Sequence, residues 1–226
     1  MTETPAKPTP PQPAGTARRR RRRRRVVLVA ALAVLAVAGP PAGYYVYWFV
    51  FQTNFHVVAD GLVYRSAQPS PEQITRWTRQ YGLKTIINLR GGKDTELYQQ
   101  NLAAAEQAGA KMEYFSMSAV RLPKRQDVRR LIEVLETAER PILIHCRHGA
   151  DRTGVVSVMA AMAVAGQDYA TARGQLSIRY LHVYHGTDRV GGLLDHYEEY
   201  CRHEGLDTGG WEQFKRWALT EYRKYE

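Results

Sequence analysis

The chain has 226 residues, of which 44% are hydrophobic and 24% are charged, so it has the composition of a globular protein and not of a wholly disordered one. Two cysteines are too few for the disulfide framework of small secreted domains. Nine of the 32 basic residues lie among the first 51 residues, which contain a single acid, and the rest of the chain is nearly neutral. The net charge of +10 therefore reflects an N-terminal tail, and we expect no nucleic-acid partner.

The N-terminal region divides into a basic tail and an apolar segment. Residues 1–25, rich in proline and ending in eight arginines, predict a disordered tail. Residues 26–51 carry no charge and predict a single-pass membrane anchor, with residues 39–43 (Gly-Pro-Pro-Ala-Gly) separating an aliphatic half from an aromatic half. A cleaved signal segment is the alternative, since residues 36–38 read Ala-Val-Ala. Arginines retained in the cytoplasm would place the rest of the chain on the non-cytoplasmic side.

Residues 55–226 predict one α/β domain. Predicted strands are two short ones within 55–64, then 85–89, 112–117 and 141–144. Predicted helices are 70–81, 95–108, 125–139, one from near 153 to 165, 169–181, 190–203 and 211–225. This alternation indicates a mostly parallel central sheet flanked by helices.

The loop after the last predicted strand carries the reactive side chains. It reads His145-Cys146-Arg147-His148-Gly149-Ala150-Asp151-Arg152-Thr153-Gly154 and joins an apolar strand to an apolar helix. Ligands bind at this edge of α/β sheets, where strands end and helices begin.

The loop has the features of an anion site. Main-chain N–H groups of such a loop and the N-terminal end of the following helix attract an anion such as phosphate. The same field favours the thiolate of Cys146 over its thiol. The planar guanidinium of Arg152 matches two phosphate oxygens, and Gly149 permits close approach of the backbone.

The loop resembles the signature of the protein tyrosine phosphatase superfamily, His-Cys-x5-Arg-Ser/Thr-Gly. The segments Tyr64–Ser70 and Ile86–Arg90 are also similar to those of the compact dual-specificity-type phosphatases. The resemblance implies a cysteine-phosphatase-like fold and a two-step reaction, in which Cys146 takes the phosphoryl group and water then hydrolyses the phosphocysteine. It implies neither a metal nor another cofactor.

The positions and chemistry of the other residues in and near the loop also suggest roles. Arg152 stabilises the transferred phosphoryl group. The expected substrate-binding residues are Arg147, His148, Gly149, Ala150 and Thr153, and the expected supporting residues are His145, Gly154 and Arg90.

The general acid is where this chain departs from the family. Most relatives carry an aspartate on a separate upstream loop, but the matching residues 114–123 contain no acid. Asp151, inside the loop, is the favoured acid, because some lipid and tyrosine phosphatases carry Asp there. Asp127, at the start of a predicted helix, is the alternative. A third alternative is that neither residue serves.

We expect a phosphatase that hydrolyses phosphomonoesters, and phosphotyrosine or other phosphoprotein substrates are the favoured ones. A lipid or inositol phosphate phosphatase of the same mechanism is the alternative, and a non-catalytic phosphate-binding module is another. The expected partners are thus a phosphorylated protein, lipid or inositol compound, together with a membrane bound through residues 26–51.

Overall fold

The computed structural model describes residues 15–47, 53–184 and 186–222. The chain forms two compact units that divide after Tyr47. The first unit contains helix α1, and the second contains an α/β domain.

Helix α1, Gly15–Val46, is longer than the sequence predicts. It includes residues 15–25 of the expected disordered tail, because arginine is a good helix former and the arginines adjoin the apolar helical segment. It also continues through Pro40 and Pro41, although each proline removes a main-chain hydrogen bond. The other residues of the expected tail and anchor, 1–14 and 48–51, lie outside the described residues.

Part of α1 is long and apolar enough to cross a membrane. The span is Arg19–Val46, and its most apolar window of 18 residues has a mean hydropathy of 2.2 and no buried residues. A signal sequence near an N-terminus shares these properties. The helix therefore provides weak evidence for a membrane segment, and anchoring and orientation stay predictions.

The second unit is built on a five-stranded sheet in the order β1-β2-β5-β3-β4. The strands are β1 (His56–Ala59), β2 (Val63–Ser66), β3 (Thr85–Asn88), β4 (Lys111–Tyr114) and β5 (Ile142–His145). Strand β1 is antiparallel to β2, and all other neighbouring pairs are parallel. The predicted mostly parallel sheet is therefore confirmed.

The strand register brings three strand ends to one edge of the sheet. His145 at the end of β5 pairs with Ser66 of β2 on one side and with Asn88 of β3 on the other. Because these strands are parallel, the loops that follow β2, β3 and β5 leave the same edge. The sequence-predicted loop follows β5 at this edge.

Helices cover both faces of the sheet, as predicted. They are α2 (Pro71–Tyr81), α3 (Glu96–Ala108), α4 (Arg125–Thr137), α5 (Asp151–Ala165), α6 (Tyr169–Ala172), α7 (Gly192–His203) and α8 (Trp211–Thr220). Leu143 of β5 packs with side chains of α2 and α3, whereas Ile142 and Ile144 pack with α4, α5, α7 and α8. This alternation explains why β5 is apolar at successive positions.

The predicted helix over residues 169–181 is wrong. The structure has the short α6 followed by two 3-10 helices, Arg173–Gln175 and Ile178–Tyr180. Gly174 weakens the helix, and Leu181 has a left-handed φ of +68°, which ends the second 3-10 turn. The predicted strand at 112–117 also ends early, at Tyr114.

Candidate active site

The loop between β5 and α5 is fixed by its glycine. Gly149 has φ of +70°, and a Cβ at this position would lie 2.7 Å from the main-chain N of Ala67 and 2.7 Å from the carbonyl carbon of Ser66. The main chain of the loop thus packs directly on the end of β2. A side chain at residue 149 would force the two backbones apart.

Helix α5 directs its N-terminal end at the loop. Its N-cap is Ala150, which makes no side-chain cap hydrogen bond. No N-cap side chain therefore accepts hydrogen bonds from the first-turn N–H groups of α5. These N–H groups can donate to a bound anion instead. Gly154 lies in the same turn, where a Cβ would lie 2.5 Å from Leu176 Cδ1, so a larger residue here would have to displace the Leu176 side chain.

Cys146 and Arg152 lie at the two ends of the loop. Cys146 follows β5 directly and is 2% exposed. The Arg152 guanidinium donates through Nη1 to the carbonyl oxygens of Met117 at 3.1 Å, and of Leu89 and Arg90 at 3.4 Å each. These carbonyls belong to the segments after β3 and β4. They hold the guanidinium by one nitrogen, while Nε is buried without a hydrogen-bond partner among the described residues.

Arg65 is a buried cation beneath the loop, and sequence reasoning gave it no role. Its Nη2 donates to the Gly149 carbonyl at 2.7 Å, and Nη1 donates to the Gln175 Oε1 at 3.1 Å and to the Gln175 carbonyl. The guanidinium carbon lies 3.9 Å from the centre of the Tyr180 ring. Burial lowers the pKa of Arg65 to about 10, with opposing effects from Tyr180 and Cys146. A charged side chain directly after a short predicted strand was the available signal.

Asn54 and His56 support the other side of the loop. Asn54 Nδ2 donates to the His148 carbonyl at 3.0 Å and to the Tyr180 carbonyl at 3.3 Å, and its Oδ1 lies 3.0 Å from His56 Nε2. Burial, followed by the charges of Arg65 and Arg179, lowers the pKa of His56 to about 4. A neutral histidine thus holds the asparagine that fixes the loop.

His145 is fully buried at the end of β5. Burial, with the nearby charges of Arg90 and Arg152, lowers its pKa to about 3. Neither ring nitrogen has a hydrogen-bond partner among the described residues. A neutral, enclosed imidazole fits a packing role and does not fit that of a base. The buried Thr153 hydroxyl likewise has no partner within the described part of the chain.

Three basic side chains in and beside the loop are here called the basic rim: Arg90, Arg147 and His148. All three residues are exposed. Gln68 joins two of them, since its N–H donates to the Arg147 carbonyl at 3.2 Å and its Oε1 accepts from Arg90 at 3.4 Å. Burial, then the charges of Arg147, Arg152 and Arg90, lowers the pKa of His148. All three arginines are therefore close enough to act on His148.

The two candidate acids lie in different surroundings. Asp151, in the first turn of α5, contacts His182, with 2.8 Å between Oδ1 and Nδ1. Asp127, in the first turn of α4, lines a cavity of about 480 Å³ with Arg121, Lys124 and Asp188. No residue of the loop 145–154 lines that cavity. The described residues contain no group of three or more His, Cys, Asp or Glu arranged to hold a metal ion.

Residues 51–180, more than half of the chain, match the family described as DSP-PTPase phosphatase fused to NAD+ kinase. The chain is 36% identical over 107 residues to the inositol diphosphatase SIW14 of Saccharomyces cerevisiae, and 32% identical over 108 residues to the inositol diphosphatase DSP3 of Arabidopsis thaliana. Each match covers 45% of this chain, and the chain spans 36% of the yeast protein and 50% of the plant protein.

The fold is also that of a solved relative. The core catalytic domain of the yeast PP-IP phosphatase SIW14 matches with a TM-score of 0.51 at 24% identity, over 67% of this chain and 93% of that domain. This likeness concerns the fold alone. Together with the family match, it agrees with the predicted resemblance: the chain belongs to the DSP-PTPase phosphatase family.

Proposed function

We propose that Cys146 is the nucleophile and Arg152 the phosphoryl clamp of this phosphatase. The Cys146 thiolate attacks phosphorus, the bond to the leaving oxygen breaks, and water then releases phosphate from the phosphocysteine. The first-turn N–H groups of α5 and the Arg152 guanidinium bind the equatorial oxygens in both steps. Arg65 and Gly149 support this assignment, because the buried guanidinium fixes the main chain of the loop through the Gly149 carbonyl.

We propose Asp151 as the general acid. It lies in the loop itself, at the start of the helix that carries Arg152. Asp127 lines a cavity formed without any residue of the loop. Thr153, whose buried hydroxyl has no partner among the described residues, is suited to donate to the Cys146 sulfur when the sulfur leaves in the second step.

The proposed substrates are inositol diphosphates. The observation that carries this proposal is the basic rim, because Arg90 and Arg147 add two exposed positive charges beside the Arg152 clamp. One phosphoryl group occupies the loop, and a substrate with further phosphates can use the rim as well. The relatives named inositol diphosphatases support the same choice. Phosphotyrosine, the first expectation from the sequence, and lipid phosphates stay alternatives.

A substrate panel tests the proposal on the full chain in detergent. We expect kcat/KM to be highest for a diphosphoinositol polyphosphate, and lower for a phosphotyrosine peptide and for phosphoinositide micelles. Arg147→Gln should raise KM for the diphosphoinositol compound while sparing p-nitrophenyl phosphate, which has one phosphate. Arg202→Gln, on the exposed end of α7, is the matched control. A preference for the phosphotyrosine peptide, or an equal effect of Arg147→Gln on both substrates, would contradict the proposed substrate class.

We also infer that α1 anchors the chain, with its arginines in the cytoplasm and residues 55–226 on the other side. The apolar length of α1 and the arginines at its N-terminal end support this arrangement. N-terminal sequencing of the membrane fraction tests it. A chain that retains its arginines and is digested by protease added outside intact cells supports the anchor, whereas a soluble chain beginning near residue 39 indicates a cleaved signal segment.

A further inference from the structure

His182 lies in direct contact with the proposed general acid. Its Nδ1 is 2.8 Å from Asp151 Oδ1, and its side chain is 12% exposed. The residue is separated from Asp151 by 31 positions and lies beyond residues 51–180, which match the family. Neither the sequence pattern nor the comparisons assign it a role.

The backbone around His182 holds this contact in place. Leu181 has φ of +68°, a conformation that leucine rarely adopts, and the His182 N–H then donates to the Ser177 carbonyl at 3.2 Å. The left-handed residue turns the chain after the 3-10 helix Ile178–Tyr180, so that the imidazole meets the first turn of α5. Unusual backbone conformations are found where a functional contact must be held.

An aspartic acid side chain on its own is a poor proton donor at neutral pH, because it has already lost its proton. An exposed aspartic acid ordinarily loses its proton near pH 4, whereas a free imidazole does so at about pH 6.5. A carboxylate in contact with an imidazole can therefore share a proton that a solitary carboxylate would already have lost. This is the property that a general acid needs near neutral pH.

We propose that His182 and Asp151 act together as the proton donor, with His182 as a positioning residue that keeps one transferable proton on the pair. The inference rests on the proposed role of Asp151. When the shared proton lies on Asp151, the imidazole is neutral and the carboxylic acid can pass the proton to the leaving oxygen.

The proton that the pair gives up in the first step returns to it in the second step. In the first step the Cys146 sulfur–phosphorus bond forms, the phosphorus–oxygen bond breaks with its electron pair on the leaving oxygen, and the proton of the pair passes to that oxygen. In the second step water attacks phosphorus, its proton returns to the pair, and the electron pair of the sulfur–phosphorus bond returns to sulfur. Each cycle consumes one water and leaves the pair as it began.

Other charged groups lie near the pair. The cavity shared by Asp151 and His182 is also lined by Tyr184, Arg173, Arg189 and Asp195. Arg173 is paired with Asp195 at 3.3 Å and with Glu198 at 2.9 Å. His148 also faces Asp151, and burial and the neighbouring arginines lower the pKa of His148, so that it is neutral near pH 7. Among these groups, His182 is the one in direct contact with the Asp151 carboxylate, at 2.8 Å.

His182→Asn is the test. The asparagine amide can donate to Asp151 much as Nδ1 does, but it cannot release a proton, so it separates proton supply from simple positioning. The matched control is His203→Asn, which changes an exposed histidine that also contacts a carboxylate, at 3.0 Å from Glu204. Vanadate inhibition and Tm of each variant show whether the loop and the fold are intact.

The readout compares two aryl phosphates on the full chain in detergent. For phenyl phosphate, a poor leaving group, we expect His182→Asn to lower kcat at pH 7 by about 10- to 100-fold and to move the basic limb of the pH–rate profile to lower pH. For p-nitrophenyl phosphate, whose leaving group departs without a proton, kcat should stay close to that of His203→Asn.

Two results would overturn the inference. One is a His182→Asn profile that matches His203→Asn on both substrates, and the other is an equal loss on both substrates with vanadate binding intact. If His182→Asn no longer binds vanadate, the comparison is repeated with His182→Gln and His182→Lys. An unshifted basic limb of the pH–rate profile, in whichever of these variants binds vanadate, also overturns the inference. A wild-type chain without turnover on any phosphate ester or diphosphoinositol compound would refute the proposed function instead.

Discussion

Replacing Gly149 with alanine is expected to disable the loop while leaving the domain folded. The added Cβ would lie 2.7 Å from two main-chain atoms, the N of Ala67 and the carbonyl carbon of Ser66. Backbone atoms at the end of a central strand cannot rotate away as a flexible side chain can. The loop must therefore move, and Cys146 and Arg152 with it.

A matched control lies at the other end of the same helix. Gly166 ends α5 with φ of +64°, and a Cβ there would meet nothing within 4 Å. Alanine in the left-handed region costs about 1–2 kcal/mol at either position. Only Gly149 adds a clash, and a displacement of about 1 Å at a catalytic group costs on the order of 100-fold in rate. We therefore expect Gly149→Ala to lose about 100-fold in kcat/KM, and Gly166→Ala to keep most of its activity.

The assay is kcat/KM on p-nitrophenyl phosphate, with the vanadate inhibition constant and the free energy of unfolding measured on the same samples. Both variants should lose a similar amount of stability from φ, but Gly149→Ala alone should bind vanadate poorly. If both variants have the same activity and the same vanadate affinity, the close approach of the loop to β2 does not shape the anion site, and the reasoning fails.

Three further predictions follow from the same geometry. Arg152→Lys should lower kcat at least about 100-fold, because an ammonium cannot form a bidentate fork, and activity near wild type would contradict the clamp role. Arg65→Met should lower the free energy of unfolding by about 3 kcal/mol, because the Gly149 carbonyl loses a charged donor. The same variant should bind vanadate more weakly, and an unchanged vanadate affinity would contradict the support that Arg65 gives to the loop. His145 and His56 have pKa values lowered to about 3 and about 4, whereas unfolded histidines titrate near 6.5, so unfolding takes up protons. The contribution of these histidines to the free energy of unfolding should therefore be greatest above about pH 6.5 and fall as the pH is lowered toward 4. Urea midpoints that stay constant between pH 7.5 and 5 would contradict the neutral, buried state of these histidines.

Local patterns predicted the elements that position the loop. Ser70, Gln73 and Gly82 marked the limits of α2, and the structure has the capping box and the left-handed C-cap at these residues. The apolar run before His145 marked a buried strand, because both faces of that strand are covered by helices. The loop itself is continuous in sequence, so its position between strand and helix followed directly.

The contacts that complete the site join residues far apart in sequence. Arg65 meets Gly149 across 84 positions, and Asn54 meets His148 across 94. His182 follows a segment that reads as one regular helix, but the chain turns at Leu181 and brings the imidazole to Asp151. Such contacts depend on the packing of β2 and of the 3-10 helices around the loop, and no local pattern encodes that packing.

The most direct test of the catalytic account is the site of phosphorylation during turnover. The full chain in detergent is mixed with a labelled substrate, quenched in acid within one turnover and digested, and the phosphorylated peptide is identified by mass spectrometry. We predict phosphate on the Cys146 sulfur, its absence in Cys146→Ser, and its persistence in Cys201→Ser, which changes the other buried cysteine. Phosphate on another residue, or turnover by Cys146→Ser at the wild-type rate, would contradict the account.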